Sequence, residues 1–143
     1  MFEKDLKDWK AIEREFASRL MKWDVSKIEF SQWQFADWDV KATIKKNWLE
    51  VERTYEVKDD KVSPTSWNVW FEFRYNWKPS GIFTSKADII VYHIQDDFYY
   101  EDRNELLIKL CSIPKTEIKW WDNDKSDMYL VSNLYLDKLF KKL

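Results

Sequence analysis

A mixed-sheet α/β domain is what this sequence predicts, on three observations. An amphipathic stretch occupies the first two dozen residues, and strand-like segments succeed one another between 27 and 75. A nearly unbroken apolar run at 87–94 is then followed by a helical pattern at 102–112. Elements in that order bury their apolar faces most simply by packing helices against a mixed sheet. At 143 residues the chain reads as a single domain spanning 1–143, long enough for a real core.

Each element has its own warrant. Over residues 4–23, Phe2, Leu6, Trp9, Phe16, Leu20 and Trp23 recur at three- and four-residue steps with no Gly or Pro between them, which predicts a helix with one apolar seam. Glu13 breaks that seam. Either it snorkels at the edge of the stripe, or it is a carboxylate aimed across the sheet at a cation or its bound water, because a buried carboxylate needs a partner. Residues 27–40, with Ile28, Phe30, Trp33, Phe35 and Trp38, are mostly strand-like. Strands follow at 48–58 and 67–75 around a turn at Ser63-Pro64-Thr65. Lys78-Pro79-Ser80-Gly81 is a loop whose glycine, the only one in the chain, is expected in a backbone conformation that other residues resist. The run Ala87–Ile94 suits a strand covered on both faces. Short strands are expected at 117–121 and 128–131, and a closing helix at 133–142.

Composition narrows the classes. Charged residues make up 35% and hydrophobic ones 45%, as in a soluble globular protein. No apolar run approaches the ~20 residues needed to span a bilayer, and the opening Met-Phe-Glu-Lys-Asp is unlike a signal peptide, so a cytoplasmic protein without a membrane partner is expected. A lone Cys111 permits neither an internal disulfide nor a zinc cluster. The net charge of −2 argues against nucleic-acid binding by bulk electrostatics, yet it leaves room for a nuclease whose acids crowd one site. Local basic patches remain at Lys41, Lys45 and Lys46, and at Lys138, Lys141 and Lys142. Ten Trp, nine Phe and seven Tyr are a heavy aromatic load. Aromatics can stack on unpaired bases; more commonly they are core and sheet surface.

The most informative motif is Glu56-Val57-Lys58, with Asp39 upstream. Leu49, Val51, Tyr55 and Val57 alternate with Glu50, Glu52, Thr54, Glu56 and Lys58, so Glu56 and Lys58 project from one face of a strand. An Asp from a neighbouring strand would add a second hard oxygen ligand for a divalent cation beside an ammonium, the minimum for metal-assisted phosphodiester hydrolysis. The same acid-x-Lys spacing recurs at Asp5, Asp8, Asp39, Asp59 and Glu117, so spacing alone says little. A solvated strand face with Glu/Lys pairs would look alike.

Taken together, these residues resemble the PD-(D/E)XK nuclease superfamily, in particular its small phage-encoded members and, more distantly, the archaeal-type Holliday junction resolvases. The similarity runs through Glu13 on the first helix, Asp39 at a strand end, and Glu56 and Lys58 in Tyr-Glu-Val-Lys-Asp-Asp. It continues with Asn68-Val-Trp-Phe-Glu72, Lys78-Pro-Ser-Gly-Ile and Thr84-Ser-Lys-Ala-Asp88. Two departures stand out: Trp38 replaces the superfamily's Pro, and Asp37 competes with Asp39. The resemblance implies a restriction-endonuclease-like fold with a mixed central sheet flanked by helices. It implies Mg²⁺, replaceable by Mn²⁺, held by Asp39, Glu56 and the Val57 carbonyl, with Lys58 orienting the attacking water. Glu13 and Glu72 would be outer-shell or second-metal carboxylates, and Asn68, Ser80, Gly81 and Lys86 would support the site or touch DNA. The implied function is a Mg²⁺-dependent deoxyribonuclease in phage DNA processing, recombination or replication, compatible with a homodimer. The alternative is a catalytically inactive nuclease-fold protein that binds DNA or a host protein.

Rival chemistries are thin. His93 sits in an apolar strand and reads as a packed or hydrogen-bonded core histidine; Cys111 reads as an inert buried thiol. No glycine loop is present to cradle a nucleotide's phosphates.

Overall fold

The computed structural model describes residues 2–32, 37–61, 63–120 and 125–143, and only the backbone of 2–9 and 120. The expected architecture, a mixed central sheet flanked by helices, is what the chain adopts. Helix α1 (Phe2–Leu20) leads into three strands, β1 (Val25–Phe30), β2 (Val40–Lys46) and β3 (Leu49–Asp60). A short helix α2 (Ser63–Ser66) precedes β4 (Asn68–Tyr75), β5 (Lys78–Pro79) and a 3-10 turn (Gly81–Phe83). Then come β6 (Ile89–Ile94), β7 (Asp97–Asp102), α3 (Arg103–Ser112), β8 (Thr116–Trp120) and β9 (Ser126–Ser132). A 3-10 turn (Asn133–Tyr135), α4 (Leu136–Leu139) and β10 (Lys141–Lys142) close the chain.

One sheet runs β1-β2-β3-β6-β7-β10 and the other β5-β4-β9-β8. The β3–β6 pair is parallel, with Tyr55 opposite Ile89 and Asp60 opposite Ile94; the remaining pairs are antiparallel. A parallel pair demands a crossover, and here the crossover contains α2, β4 and β5. That detour sets the second sheet against the first. Two buried clusters result. On one face of the larger sheet Phe16 and Leu20 of α1 pack on Val40, Ala42, Tyr55, Val57, Val91 and Phe98. On the other, Ile90, Tyr92 and Ile94 meet Val69, Phe71 and Val131 of the second sheet together with Leu106 and Leu110 of α3. The Ala87–Ile94 run is thus covered on both sides, as its composition predicts.

Several boundaries differ from the sequence reading. The first helix stops at Leu20 rather than Trp23, because Trp23 N–H closes a tight turn on the Leu20 carbonyl at 2.9 Å. Past that turn the seam no longer overlies the sheet, and Trp23 is exposed. The expected strand at 27–40 is two strands. β1 ends at Phe30, and the chain returns to begin β2 at Val40 directly opposite it; Trp33 and Phe35 lie outside the described residues. β2 was not anticipated, although Val40, Ala42 and Ile44 alternate and face the α1 side. The third strand continues past the expected end at 58 through Asp60, because β6 pairs with it that far. Ser63-Pro64-Thr65 forms the start of α2 instead of an open turn. β7 was also missed; it pairs with β6 along its whole length. The expected closing helix at 133–142 breaks after Leu139, where Phe140 turns extended and inserts into the core. Lys141 and Lys142 then pair with the free edge of β7.

Candidate active site

β2 and β3 pair closely up to Val40–Tyr55 and part at the next residue. Asp39 marks the parting. Its amide donates to the Tyr55 carbonyl at 2.8 Å, and its Oδ2 accepts from the Val57 amide at 2.8 Å. A side chain thus takes the place a ladder partner on β2 would have occupied. Asp37, its competitor in sequence, is exposed. Glu56 and Lys58 share the face of β3 that looks towards the second sheet, opposite Ile90 and Tyr92 in register. Lys58 Nζ stands 3.7 Å from Glu56 Oε1. The other oxygen, Glu56 Oε2, is buried and accepts no hydrogen bond among the described residues. An unpartnered buried carboxylate oxygen is costly in a native fold; a cation would remove that cost.

Electrostatics links the group to helix α1. Burial pushes the Asp39 carboxyl up to about 6, against the Val57 amide, which favours the charged form; the Glu56 charge raises it further and Lys58 lowers it. Glu13 is pushed up to about 7, first by burial and then by the charge on Asp39, with Lys10 and Arg14 pulling the other way. Asp39 therefore interacts with Glu13 on helix α1 and with Glu56 and Lys58 on β3. Among the described residues no three of His, Cys, Asp and Glu converge closely enough to chelate a cation unaided. Two carboxylates, a backbone carbonyl and waters are a donor set that Mg²⁺ accepts, since it retains several waters.

These shifts predict how the cation-free protein responds to pH. Both carboxyls hold protons more tightly when folded than when unfolded. The stability they contribute is complete below the ordinary values of 4.5 for Glu13 and 3.8 for Asp39, and is lost as pH rises through about 7 and about 6 respectively. In chelator, the urea midpoint should fall across that window, and Glu13→Gln should flatten the upper part of the fall. Cation affinity should run the opposite way, strengthening as the ligands deprotonate.

The remaining expected residues fall elsewhere. Glu72 has both oxygens occupied, one by the Ser80 hydroxyl at 3.1 Å and one by the Ser126 hydroxyl at 3.0 Å. It lines a cleft with Lys58, Asp60, Lys61, Trp70 and Tyr92, so it shares a wall with Lys58 without joining the Asp39–Glu56 pair. Tyr92 resists ionisation because it is buried, and the charges of Asp60, Glu56 and Glu72 add to that; Asp59, Asp60 and Glu72 line the cleft itself. Asn68 is at the far end of β4, its side chain donating to the Ser66 carbonyl at 2.9 Å. Lys86 is exposed. Asp88 fastens β3 to the start of β6, its Oδ2 accepting from Thr54 N and Oγ1 at 3.0 and 3.1 Å. Asp60, Lys61, Trp70 and Tyr92 complete the wall of the Lys58 cleft, a grouping not visible in residue order because Trp70 comes from the second sheet and Tyr92 from β6. Cys111 is exposed rather than buried, pointing away from the Leu106–Leu110 face of α3. His93 is packed against Phe98 and bonded to Asp59 at 2.9 Å, a satisfied histidine.

Gly81 has φ +63, and a Cβ built on it would lie 2.0 Å from the Glu72 carbonyl oxygen. Gly81→Ala is expected to destabilise the fold by about 2 kcal/mol or more, combining left-handed strain with a backbone collision. A thermal melt of the variant checks this; an unchanged midpoint would show that the 3-10 turn moves freely.

No family model matches the chain, and no curated protein does. Among solved structures it is similar to D212, a nuclease from a fusselovirus, at 13% identity over 94% of this chain and 80% of that one, with a TM-score of 0.47. At that score neither fold nor activity carries over.

Proposed function

We propose that this protein is a Mg²⁺-dependent deoxyribonuclease that hydrolyses phosphodiester bonds in phage DNA within the host cytoplasm. The observation that carries the reading is Asp39 where β2 leaves β3, held by the Val57 amide, its pKa raised by burial and by the charge of Glu56, with Lys58 3.7 Å from Glu56. Carboxylates concentrated there repel one another unless a cation or a proton intervenes. Asp39 and Glu56 are the cation ligands, with the Val57 carbonyl as a third oxygen. A bound Mg²⁺ would supply a water of lowered pKa and a counter-charge for the phosphate. Lys58 orients that water and offsets charge on the pentacovalent phosphorane. Glu13, whose carboxyl titrates at about 7 behind Asp39, is an outer carboxylate able to take up a released proton. Mn²⁺ is expected to substitute for Mg²⁺.

Purified protein incubated with single-stranded, duplex and four-way DNA in Mg²⁺ or Mn²⁺ should cleave at least one of them. Calorimetric titration should show saturable Mg²⁺ binding that Glu56→Ala removes. Absence of both would leave the fold as a binding module, holding DNA or a host protein without turnover.

A further inference from the structure

The β4–β5 hairpin ends in Asn76-Trp77, both residues left-handed with φ 51 and 68. A two-residue turn of that kind favours Asn-Gly, because its second position is strained for any residue with a Cβ. Trp77 nevertheless stands there, 74% exposed. Glycine would suit the backbone there better, and the ring fills no core position. Two cations attend the ring, Lys119 Nζ at 4.3 Å from its centre and Arg74 Cζ at 6.0 Å. Asp127 holds both, Arg74 at 2.9 Å and Lys119 at 3.5 Å, so one carboxylate sets the pair in place and leaves a positive balance between the three. Lys78 on β5 and Lys125 are exposed nearby, the latter with its carbonyl bonded to the Asn76 amide at 2.7 Å.

We propose that this hairpin tip is a stacking site for an unpaired base of a DNA strand, with Trp77 as the platform and Lys119 and Arg74 meeting the adjoining phosphates. The inference rests on the deoxyribonuclease reading above and narrows its substrate to DNA with a single-stranded portion. Any base offers a flat face to indole, whereas bases inside a duplex are already stacked on one another. Lys119 and Arg74 lie over the ring, yet Trp77 stays 74% exposed, which leaves ring surface open to a base. Arg74 is two residues beyond Glu72 on β4, so a strand seated here lies within a few nucleotides of the cleft that Glu72 shares with Lys58.

The hairpin of β2 and β3 supplies a control. Trp48 at its tip is 95% exposed, and among the described residues no cation lies over its ring. Anisotropy of a fluorescein-labelled oligo-dT of about twelve nucleotides, titrated in EDTA, should give a Kd that Trp77→Gly raises about tenfold or more. The same substitution should leave the melting temperature unchanged or higher, since it relieves the turn; Trp77→Asn, which also tolerates the left-handed conformation, should behave alike. Trp48→Gly should bind as wild type, and a duplex of equal length should show no dependence on Trp77. Wild-type affinity in both Trp77 variants, an equal loss in Trp48→Gly, or no binding of the oligonucleotide by wild type would each overturn the proposal. No turnover occurs in EDTA, so the site survives a failure of the nuclease reading: Trp77-dependent binding of the oligonucleotide should be seen whether or not any DNA is ever cut.

Discussion

Replacing Lys58 by alanine is expected to lower DNA cleavage about 100- to 1000-fold at saturating Mg²⁺ while leaving cation binding in place. Lys58 is the ammonium of the set, 3.7 Å from a carboxylate it does not neutralise completely, and it lines the open cleft. Removing it takes away charge that matters most when negative charge builds on phosphorus, so the loss should fall on kcat more than on KM. Its side chain is partly exposed and fills no core position, so the fold should melt where wild type does. Single-turnover cleavage with calorimetry on the same preparation provides the check. A variant that binds Mg²⁺ and cuts at the wild-type rate would remove Lys58 from the chemistry. One that also loses Mg²⁺ binding would mean that Lys58 supports the ligands rather than the reaction.

Phe71→Ala should be the most damaging core substitution for stability, at about 3–5 kcal/mol. Phe71 is wholly buried where the second sheet meets the first, with ring centres 5.3 Å from Tyr92 and 6.2 Å from Phe140. These ring neighbours sit on two different elements, β6 and the segment after α4, and they cannot close on the void together. A domain with a total stability of ~5–15 kcal/mol would lose a large share. Chemical denaturation should show the drop, with a slope close to wild type if the two sheets still unfold as one unit. A shift under about 1 kcal/mol would mean that the sheets repack around the gap.

Much of this arrangement was readable from residue order alone. The seam of α1, the alternation across Leu49–Val57 and the unbroken apolar run of β6 are local patterns, and a period of two or of 3.6 survives without knowledge of the fold. The pairing of Glu56 with Lys58 on one strand face follows from the same period. The glycine at 81 is legible too, since its left-handed backbone suits no other residue as well. Elements whose identity depends on a distant partner were harder. β7 and β10 exist because each finds an edge to pair with, and the closing helix yields to Phe140 because a core position was waiting for it.

Residue order alone specified which acids and which lysine could act together, through their types and their spacing along a strand. It left open whether Asp37 or Asp39 would reach them. That choice was made by the divergence of β2 from β3, which frees the Val57 amide to bond the Asp39 carboxylate. Likewise, Glu72 became a wall of the Lys58 cleft, its carboxylate held by two serines, only when the crossover folded β4 beside β3. The physical reason is common to both cases. Period and propensity act over a few residues, whereas the burial that raises Glu13 and Asp39 arises only when segments far apart in the chain exclude water from the same place.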